Sequence, residues 1–541
     1  MSKSISRRSF LKGAAATVAG VAAMGPLAGL TGFETKASAE ETEKAVDSIY
    51  ASLPYGKQTF DVKKTLEYDI IVVGTGPSGM CAAMEAADQG VKVAVVEKQV
   101  RFGGMAFGTE GAFGLNSRMQ KEAGIKCPTV GECVTDELVY TNYRADAVFW
   151  HDVFEKSGEN IDWLLDHGVE FDRAANYNGK SSFECFHWYP GGAGANVGPN
   201  VEAYLKTKDN VDILMETEAV DLINEDGAIV GIYAKQGDDI IAIKAPATLM
   251  CTGGFGENHE RFQQMTGIDM THGTSFGFPG STGEAHDMMI CHGAAPATTC
   301  GLLNMYVAGF PWATHPDIML ATGYSSLTQI NQDGRRFVAE DLFAKKFCAL
   351  YINALRSQPM AFTFFDQETI KDFEENGLKD DFVDRFKGDP CPDLRDQLEE
   401  AAANSETIAY RGDTLEELAK NMGCDPEVLK ETAEKYNHFK EIGVDEDFGC
   451  DPEYIRGIGT GPYYVVHNDI IIITTIGGIN INRNNQVVKA DNTPIPGLYS
   501  CGVESCTLYR ETYNYQLSGG MNAYNFYSGR NAVRAALGLK K

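Results

Sequence analysis

The chain has 541 residues, 43% of them hydrophobic, and a formal net charge of -28. That length and apolar content exclude a disordered or fibrous protein and predict two intertwined domains around a large buried interior. The acidic surface excludes nucleic acid and anionic lipid as partners, since both would be repelled.

At the N-terminus, Ser6-Arg7-Arg8-Ser9-Phe10-Leu11-Lys12 sets paired arginines ahead of a mildly apolar Ala/Gly-rich stretch, Gly13 to Gly32, and Ala37-Ser38-Ala39 follows as a small-residue cleavage site. Residues 1–39 read as a twin-arginine signal peptide cut after Ala39. This export route carries folded protein, which suits a chain that loads its cofactor before leaving the cytoplasm. The expected destination is the periplasm or the outer face of the cytoplasmic membrane. The leader holds five Lys/Arg and one Glu, so the mature chain carries a charge of about -32. Outside the leader no stretch approaches the roughly eighteen apolar residues of a spanning helix, and stable membrane insertion is not expected. Thirteen cysteines lie scattered without a Cys-x-x-Cys or Cys-x-x-Cys-His motif, so no metal, iron–sulfur cluster or c-type haem is expected. A cysteine pair such as Cys501 and Cys506 could bridge in an oxidising compartment; buried free thiols are the alternative.

After a lead-in over 40–64, Tyr68-Asp69-Ile70-Ile71-Val72-Val73 has the continuous apolar character of a buried parallel strand. Gly74-Thr75-Gly76-Pro77-Ser78-Gly79 then opens a small-residue helix from Met80 to Gly90, followed by a second strand, Val91 to Val96, ending at Glu97. Gly74 permits the tight turn, Gly76 lets the backbone approach a pyrophosphate, Gly79 packs helix on strand, and the helix N-terminus faces the phosphates. Glu97 is placed to bond the ribose hydroxyls. With strand, helix, second strand and terminal acid all present, this is a dinucleotide-binding fingerprint, open between FAD and NAD.

Further motifs decide between them. In chain order they are Arg101-Phe102-Gly103-Gly104-Met105-Ala106, Leu249-Met250-Cys251-Thr252-Gly253-Gly254-Phe255-Gly256, Ser281-Thr282-Gly283-Glu284-Ala285, Gly334-Arg335-Arg336-Phe337-Val338-Ala339-Glu340, Pro496-Gly497-Leu498-Tyr499-Ser500-Cys501-Gly502-Val503-Glu504, and Leu517-Ser518-Gly519-Gly520-Met521-Asn522-Ala523 leading to Ser528-Gly529-Arg530. In these the chain resembles the fumarate reductase and succinate dehydrogenase flavoproteins and the related FAD-dependent 3-ketosteroid dehydrogenases, from about residue 68 to the C-terminus.

The resemblance implies an α/β fold: a Rossmann-like FAD-binding domain of two chain segments, 65–303 and 475–541, with an inserted α+β capping (clamp) domain over 304–474. Charged, helix-patterned sequence between Asp366 and Asp451 agrees with such a lobe. The implied FAD contacts are Gly74, Gly76, Pro77, Ser78, Gly79, Glu97, Lys98, Gly103, Gly104, Met105, Ala106, Gly111, Val220, Thr252, Gly253, Thr282, Glu284, Gly502, Glu504, Ser518, Gly519, Gly520 and Met521. Glu504 is expected at the ribityl or ribose region and 518–522 at the flavin pyrimidine edge, where free N–H groups of a helix start meet charge that accumulates on reduction. Met105 aligns with the histidine that bonds FAD covalently in the respiratory-complex members, which implies non-covalent FAD. Arg335 and Arg336 read as a structural strand-turn feature, paired locally with Glu340.

The departures concern the substrate. Ala344 stands where soluble fumarate reductases carry the catalytic arginine, and Asn304-Met305-Tyr306-Val307 and Ile473-Thr474-Thr475-Ile476-Gly477-Gly478 stand where they carry dicarboxylate-clamping histidines. Fumarate and succinate are therefore not the expected substrates. Tyrosines occupy these surroundings: Tyr306, Tyr324, Tyr509, Tyr513 and Tyr515, with Tyr515 placed like a carbonyl-polarising tyrosine of the ketosteroid dehydrogenases. Arg510 would meet a carboxylate or stabilise a phenolate. Lys345, Lys346, His315 and His467 read as structural or solvated. The expected catalytic set is Tyr306, Tyr324, Tyr513, Tyr515 and Arg510. The expected enzyme acts on CH–CH bonds, passing hydride from reduced FAD to an activated C=C bond of an enone, unsaturated acid or phenylpropenoid-like compound. Its electrons would come from a separate cytochrome or flavin-bearing donor. Two alternatives stand beside this: a ketosteroid-type dehydrogenase running oxidatively, and a non-catalytic FAD electron relay.

Overall fold

The computed structural model describes residues 50–539 apart from 178, 180, 267–273, 276, 298–300, 309–312, 343, 346–353, 355–356, 380–385 and 511. The leader and Lys346 thus lie outside the described residues. Leu53–Lys541 forms one body.

Four apolar residues in a row form β1 (Ile70–Val73), buried throughout as a strand covered on both faces must be. Gly74 turns the chain into α1 (Pro77–Asp88), where a proline in the first turn loses no helical hydrogen bond. The chain returns in β2 (Val93–Val96), parallel to β1 with Ile70 opposite Val93. Among the helices that follow, α2 (Val130–Tyr140) opens on a reciprocal Thr129–Glu132 capping box, and α3 (Ala147–Asp166) is capped by Asp146. β3 (Val211–Leu214) and β4 (Ala247–Met250) then flank β2 and β1 in parallel. A separate antiparallel run, Thr217–Glu225, Ala228–Gln236 and Asp239–Lys244, lies between them in the chain. α4 (Glu284–Cys291) follows.

β5 (Gly301–Ala308) pairs antiparallel with β6 (Asp469–Ile476). The expected boundaries at 303/304 and 474/475 both fall inside these two strands, which form one hydrogen-bonded pair. Between them lies an antiparallel sheet ordered Gln329–Asn331, Ala361–Phe365, Tyr463–His467, Ala409–Gly412. Its two faces bury different cores by the alternation of strand side chains: Ala361, Phe365, Tyr464 and Val466 face one, Phe362, Phe364, Tyr463 and Val465 the other. Helices Gln367–Asn376, Leu394–Ala403, Leu415–Met422 and Pro426–Ile442 fill the charged 366–451 stretch, the last capped by Asp425. Arg336 is tied to Glu340 at 2.6 Å and Asp445 at 2.8 Å under the Tyr436 ring, all buried, a structural cross-link. Lys345 is held at the surface by Asp341 and Asp451.

β7 (Gln486–Val488) and β8 (Pro494–Ser500) complete the six-stranded sheet, ordered β7-β8-β4-β1-β2-β3. The chain ends in α5 (Gly520–Ala536), which crosses α1 where a Cβ on Gly529 would lie 2.2 Å from the Ser78 carbonyl oxygen. Beside that crossing, buried Glu85 of α1 receives Arg530 Nε and Arg534 Nε, each at 2.8 Å, and Arg530 also donates to Asn160 of α3. Cys501 and Cys506 are free thiols.

Candidate active site

The carboxyl ends of β1, β2 and β4 and the start of α5 surround a cavity of about 520 Å³. At one end the backbone is shaped by glycine. Gly74 sits at φ +96°, and a Cβ there would lie 2.5 Å from the Cys251 carbonyl oxygen. Gly76, by contrast, has open space where a side chain would be, on the cavity wall. α1 begins there with no side-chain cap and no acid in its first turn, leaving its N–H groups to an anionic ligand.

Glu97, at the end of β2, lines the cavity with its carboxylate already oriented. Thr75 donates to Oε2 through its N–H (3.0 Å) and hydroxyl (2.7 Å), and the Gln99 N–H donates to Oε1 (2.9 Å). Thr75 Oγ1 also accepts from the Gly103 N–H, which joins the fingerprint loop to the Arg-Phe-Gly-Gly turn. Lys98 Nζ reaches Thr282 Oγ1 at 2.9 Å and Glu284 at 3.3 Å.

At the other end Gly519 caps α5 at φ +81°, where a Cβ would be 2.4 Å from the Phe113 N–H nitrogen. α5 likewise has neither a side-chain cap nor an acid in its first turn. The Tyr513 phenol beside it is pushed up to about 12 by burial, while the backbone N–H groups of Met521 and Gly519 act in the opposite sense by favouring phenolate. Tyr515 lies edge-on to Tyr513 with ring centroids 4.8 Å apart, and both line the cavity.

Of the residues expected to hold cofactor, Gly74, Gly76, Pro77, Ser78, Glu97, Lys98, Gly104, Met105, Gly111, Thr252, Gly253, Glu284, Ser518, Gly519 and Met521 line this cavity. The others stand behind the wall. Gly79 packs on Gly74, Gly103 on Gly198 and Gly502 on Ser78, while a Cβ on Gly520 would meet the Tyr509 hydroxyl. Ala106 is buried beneath the turn, and Val220 follows lining residues 217–219 without joining them. Thr282 acts through Lys98 and Glu284. Glu504 is the clearest displacement from expectation. It is fully buried outside the lining, and its Oε2 accepts from the Thr252 N–H (2.7 Å) and hydroxyl (2.6 Å). Burial pushes its carboxyl up to about 7, and its other oxygen has no partner except the His286 ring 3.8 Å away, itself pushed down to about 3 by burial and Arg261. Glu504 therefore shapes the wall through Thr252.

The expected catalytic set divides similarly. Tyr513 and Tyr515 face the cavity. Tyr324 is buried against Phe386, not in the lining itself but in the same apolar core as the lining residues Tyr177 and Phe186, and it acts on the Tyr177 phenol. Arg510 does not line the cavity either; it holds a turn at φ +63°, ψ -98°, a strained backbone for a non-glycine residue. Tyr306 lies in β5, its side chain outside the described residues. The structure adds a pair that sequence reasoning missed: Tyr177 lines the cavity and its hydroxyl donates in a short hydrogen bond to Glu110 Oε2. Its ring stacks on Trp188 at 5.2 Å, and burial together with Glu110 pushes its phenol well up. No local motif marks this pair; the signal available was only the glutamate beside Gly111 in the family's glycine-rich turn.

Comparison with known proteins agrees with the geometry. The family described as FAD binding domain matches residues 69–519, and a twin-arginine translocation pathway signal sequence matches residues 4–24. A vinyl phenol reductase of Lactiplantibacillus plantarum is 29% identical over 480 residues, covering 87% of this chain and 96% of its own. A urocanate reductase of Eggerthella lenta is 26% identical over 454 residues, covering 82% and 70%. Among solved structures, 3-ketosteroid Δ4-(5α)-dehydrogenase of Rhodococcus jostii RHA1 superposes with a TM-score of 0.65 at 21% identity, covering 89% of this chain and 98% of that one. A flavocytochrome c3 fumarate reductase in its open conformation gives 0.59 at 22% identity, covering 95% and 85%. The glycine cradles and the two uncapped helix starts fit an extended dinucleotide. With them, the chain belongs to the FAD-binding family of fumarate-reductase-like flavoproteins and is an exported, FAD-dependent oxidoreductase.

Proposed function

We propose that this protein reduces an activated C=C bond of a neutral aromatic or enone-type small molecule outside the cytoplasmic membrane. The observation that carries the reading is the character of the cavity wall. Among the described lining residues Lys98 is the one cation, and Glu284 engages it, whereas Phe107, Tyr177, Phe186, Phe278, Tyr513 and Tyr515 offer aromatic surface. A dicarboxylate buried there would lack the cations that offset its desolvation, while an aromatic substrate would find faces to pack on. The names of the vinyl phenol and urocanate reductases support the same direction of reaction.

FAD, held non-covalently along the two helix starts, supplies hydride from N5 when reduced. Tyr513 is the proposed proton donor, because the N–H groups of Gly519 and Met521 favour the phenolate that donation leaves behind. Tyr177 is the weaker acid of the two, since Glu110 opposes its ionisation; the pair is better suited to orient a substrate hydroxyl or carbonyl. Residues 304–474 act as the lobe that covers the reacting bond. Electrons arrive from a separate cytochrome or flavin-bearing donor.

The test is anaerobic. Purified holoprotein is reduced with dithionite and mixed with 4-vinylphenol, a hydroxycinnamate, an enone steroid or fumarate, while the return of oxidised-flavin absorbance is followed. Rapid return with a neutral aromatic or enone compound and none with fumarate is expected; rapid return with fumarate alone would sink the reading.

A further inference from the structure

We infer that Glu137 is the proton reservoir of this site: its carboxylic acid returns to the Tyr513 oxygen the proton handed to substrate, and solvent refills it past Asp136. The inference rests on the reading of Tyr513 as donor. Glu137 lies on α2, 1% exposed, behind the cavity wall. Its Oε1 has no hydrogen-bond partner, and neither does the hydroxyl of buried Tyr509, which lies against Gly520 at the start of α5. Purely structural buried polar groups are ordinarily satisfied, so two orphaned groups behind one reactive wall need an explanation.

The connections run both ways from this carboxyl. Inward, Glu137 acts electrostatically on both Tyr509 and Tyr513, whose rings are 5.2 Å apart. Outward, the Asn514 side chain bonds Glu137, and its Nδ2 donates to Asp136 Oδ1 at 3.0 Å. Asp136 is half-buried on the wall of a surface cleft with Glu132 and Gln516. The titratable groups around Glu137 are Asp136 and the Cys133 thiol on its own helix and the Tyr509 and Tyr513 phenols; α3 presents Phe149, Trp150, Val153 and Phe154 to this core, all uncharged. Burial, with Asp136 adding to it, pushes the Glu137 carboxyl up to about 8, so it holds its proton at neutral pH.

The step balances. Hydride adds to one alkene carbon, and the Tyr513 O–H bond breaks as a C–H bond forms at the neighbouring carbon. The Glu137 O–H bond then breaks as the Tyr513 O–H reforms, and one proton from water restores the acid. The flavin electron pair is the reductant throughout.

Glu137→Gln, Tyr513→Phe and unaltered holoprotein decide it, read by steady-state turnover of 4-vinylphenol with reduced methyl viologen as electron donor across pH 6–10 and by infrared difference spectra on photoreduction of bound FAD. Wild type should lose rate as pH rises through about 8. Glu137→Gln, with full FAD content, should be about tenfold or more slower, lack that inflection, and lack a protonated-carboxyl band that the wild type shows. A Glu137→Gln variant with wild-type rate and pH profile, beside an impaired Tyr513→Phe, overturns the reservoir alone. An unimpaired Tyr513→Phe overturns the donor reading instead.

Discussion

Tyr513 and Tyr177 share one cavity, yet opposite surroundings act on their hydroxyls: backbone N–H groups favour the phenolate of the first, and a carboxylate opposes that of the second. Tyr513→Phe should accordingly lower kcat by roughly a hundredfold or more with flavin content unchanged, the range of positioned proton transfer. Tyr177→Phe should act chiefly on KM; steady-state kinetics on the compound found active separates the two. Glu137 also makes a stability prediction. Its folded-state pKa, about 8, lies above the 4.5 of a free glutamate, so its contribution is fully present below about 4.5 and is lost as pH rises through 8. Relative to Glu137→Gln, wild-type stability should fall by about 1.4 kcal/mol per pH unit within that window and level off above it. Denaturant titrations of both proteins at several pH values measure this; parallel curves would contradict it. At the residue scale the conformation of the glycine turn was legible because its causes are local: Gly74 stands at φ +96° against the Cys251 carbonyl, and Gly76 opens α1 on the cavity wall. The setting of Glu504 was not legible, because residue type does not reveal whether a carboxylate lines a cavity or braces the threonine that does. Nor was that of Tyr177, whose partner Glu110 is 67 positions away.

Among the elements, β1, α1 and β2 were legible in full, since an unbroken apolar strand, a glycine turn and a small-residue helix are dictated within thirty residues. The helices of 366–451 were legible from charge patterning and caps such as Asp425. The pairing of β5 with β6 was not, because it joins segments about 170 positions apart by backbone hydrogen bonds that carry no side-chain signature. The surroundings of Tyr324 were hidden for the same reason: the helix that carries it packs in one core with Tyr177 and Phe186, far away in sequence. Glycine at element junctions gives a sharper test. Gly519→Ala combines φ +81° with a Cβ 2.4 Å from the Phe113 nitrogen, so the start of α5 must shift. Gly90→Ala, at φ +73° with nothing within 4 Å, meets backbone strain only. The first should purify with a greatly reduced flavin-to-protein ratio. The second should keep its flavin and lose about 1 kcal/mol of stability. Absorbance ratios and melting curves read both outcomes.

For the whole molecule, the leader and the cofactor site are linked by the requirement that export follow folding. Arg7→Lys with Arg8→Lys should leave full-length precursor in the cytoplasm, FAD-loaded and catalytically competent, as fractionation with flavin fluorescence would show. Precursor that accumulates without flavin would break the link. Fold class at this scale was legible because dinucleotide-binding glycine motifs recur along the chain.

The junction of α5 with α1 sets the order of events during synthesis. Ser518, Gly519, Met521, Asn522 and Asn525 close the cavity, and Arg530 secures their helix to Glu85 across 445 positions of chain. Everything else in the cradle has left the ribosome before this last wall exists. Without that last wall the cavity stays open at its α5 end, so retention of flavin is tied to the part of the chain made after the rest of the cradle.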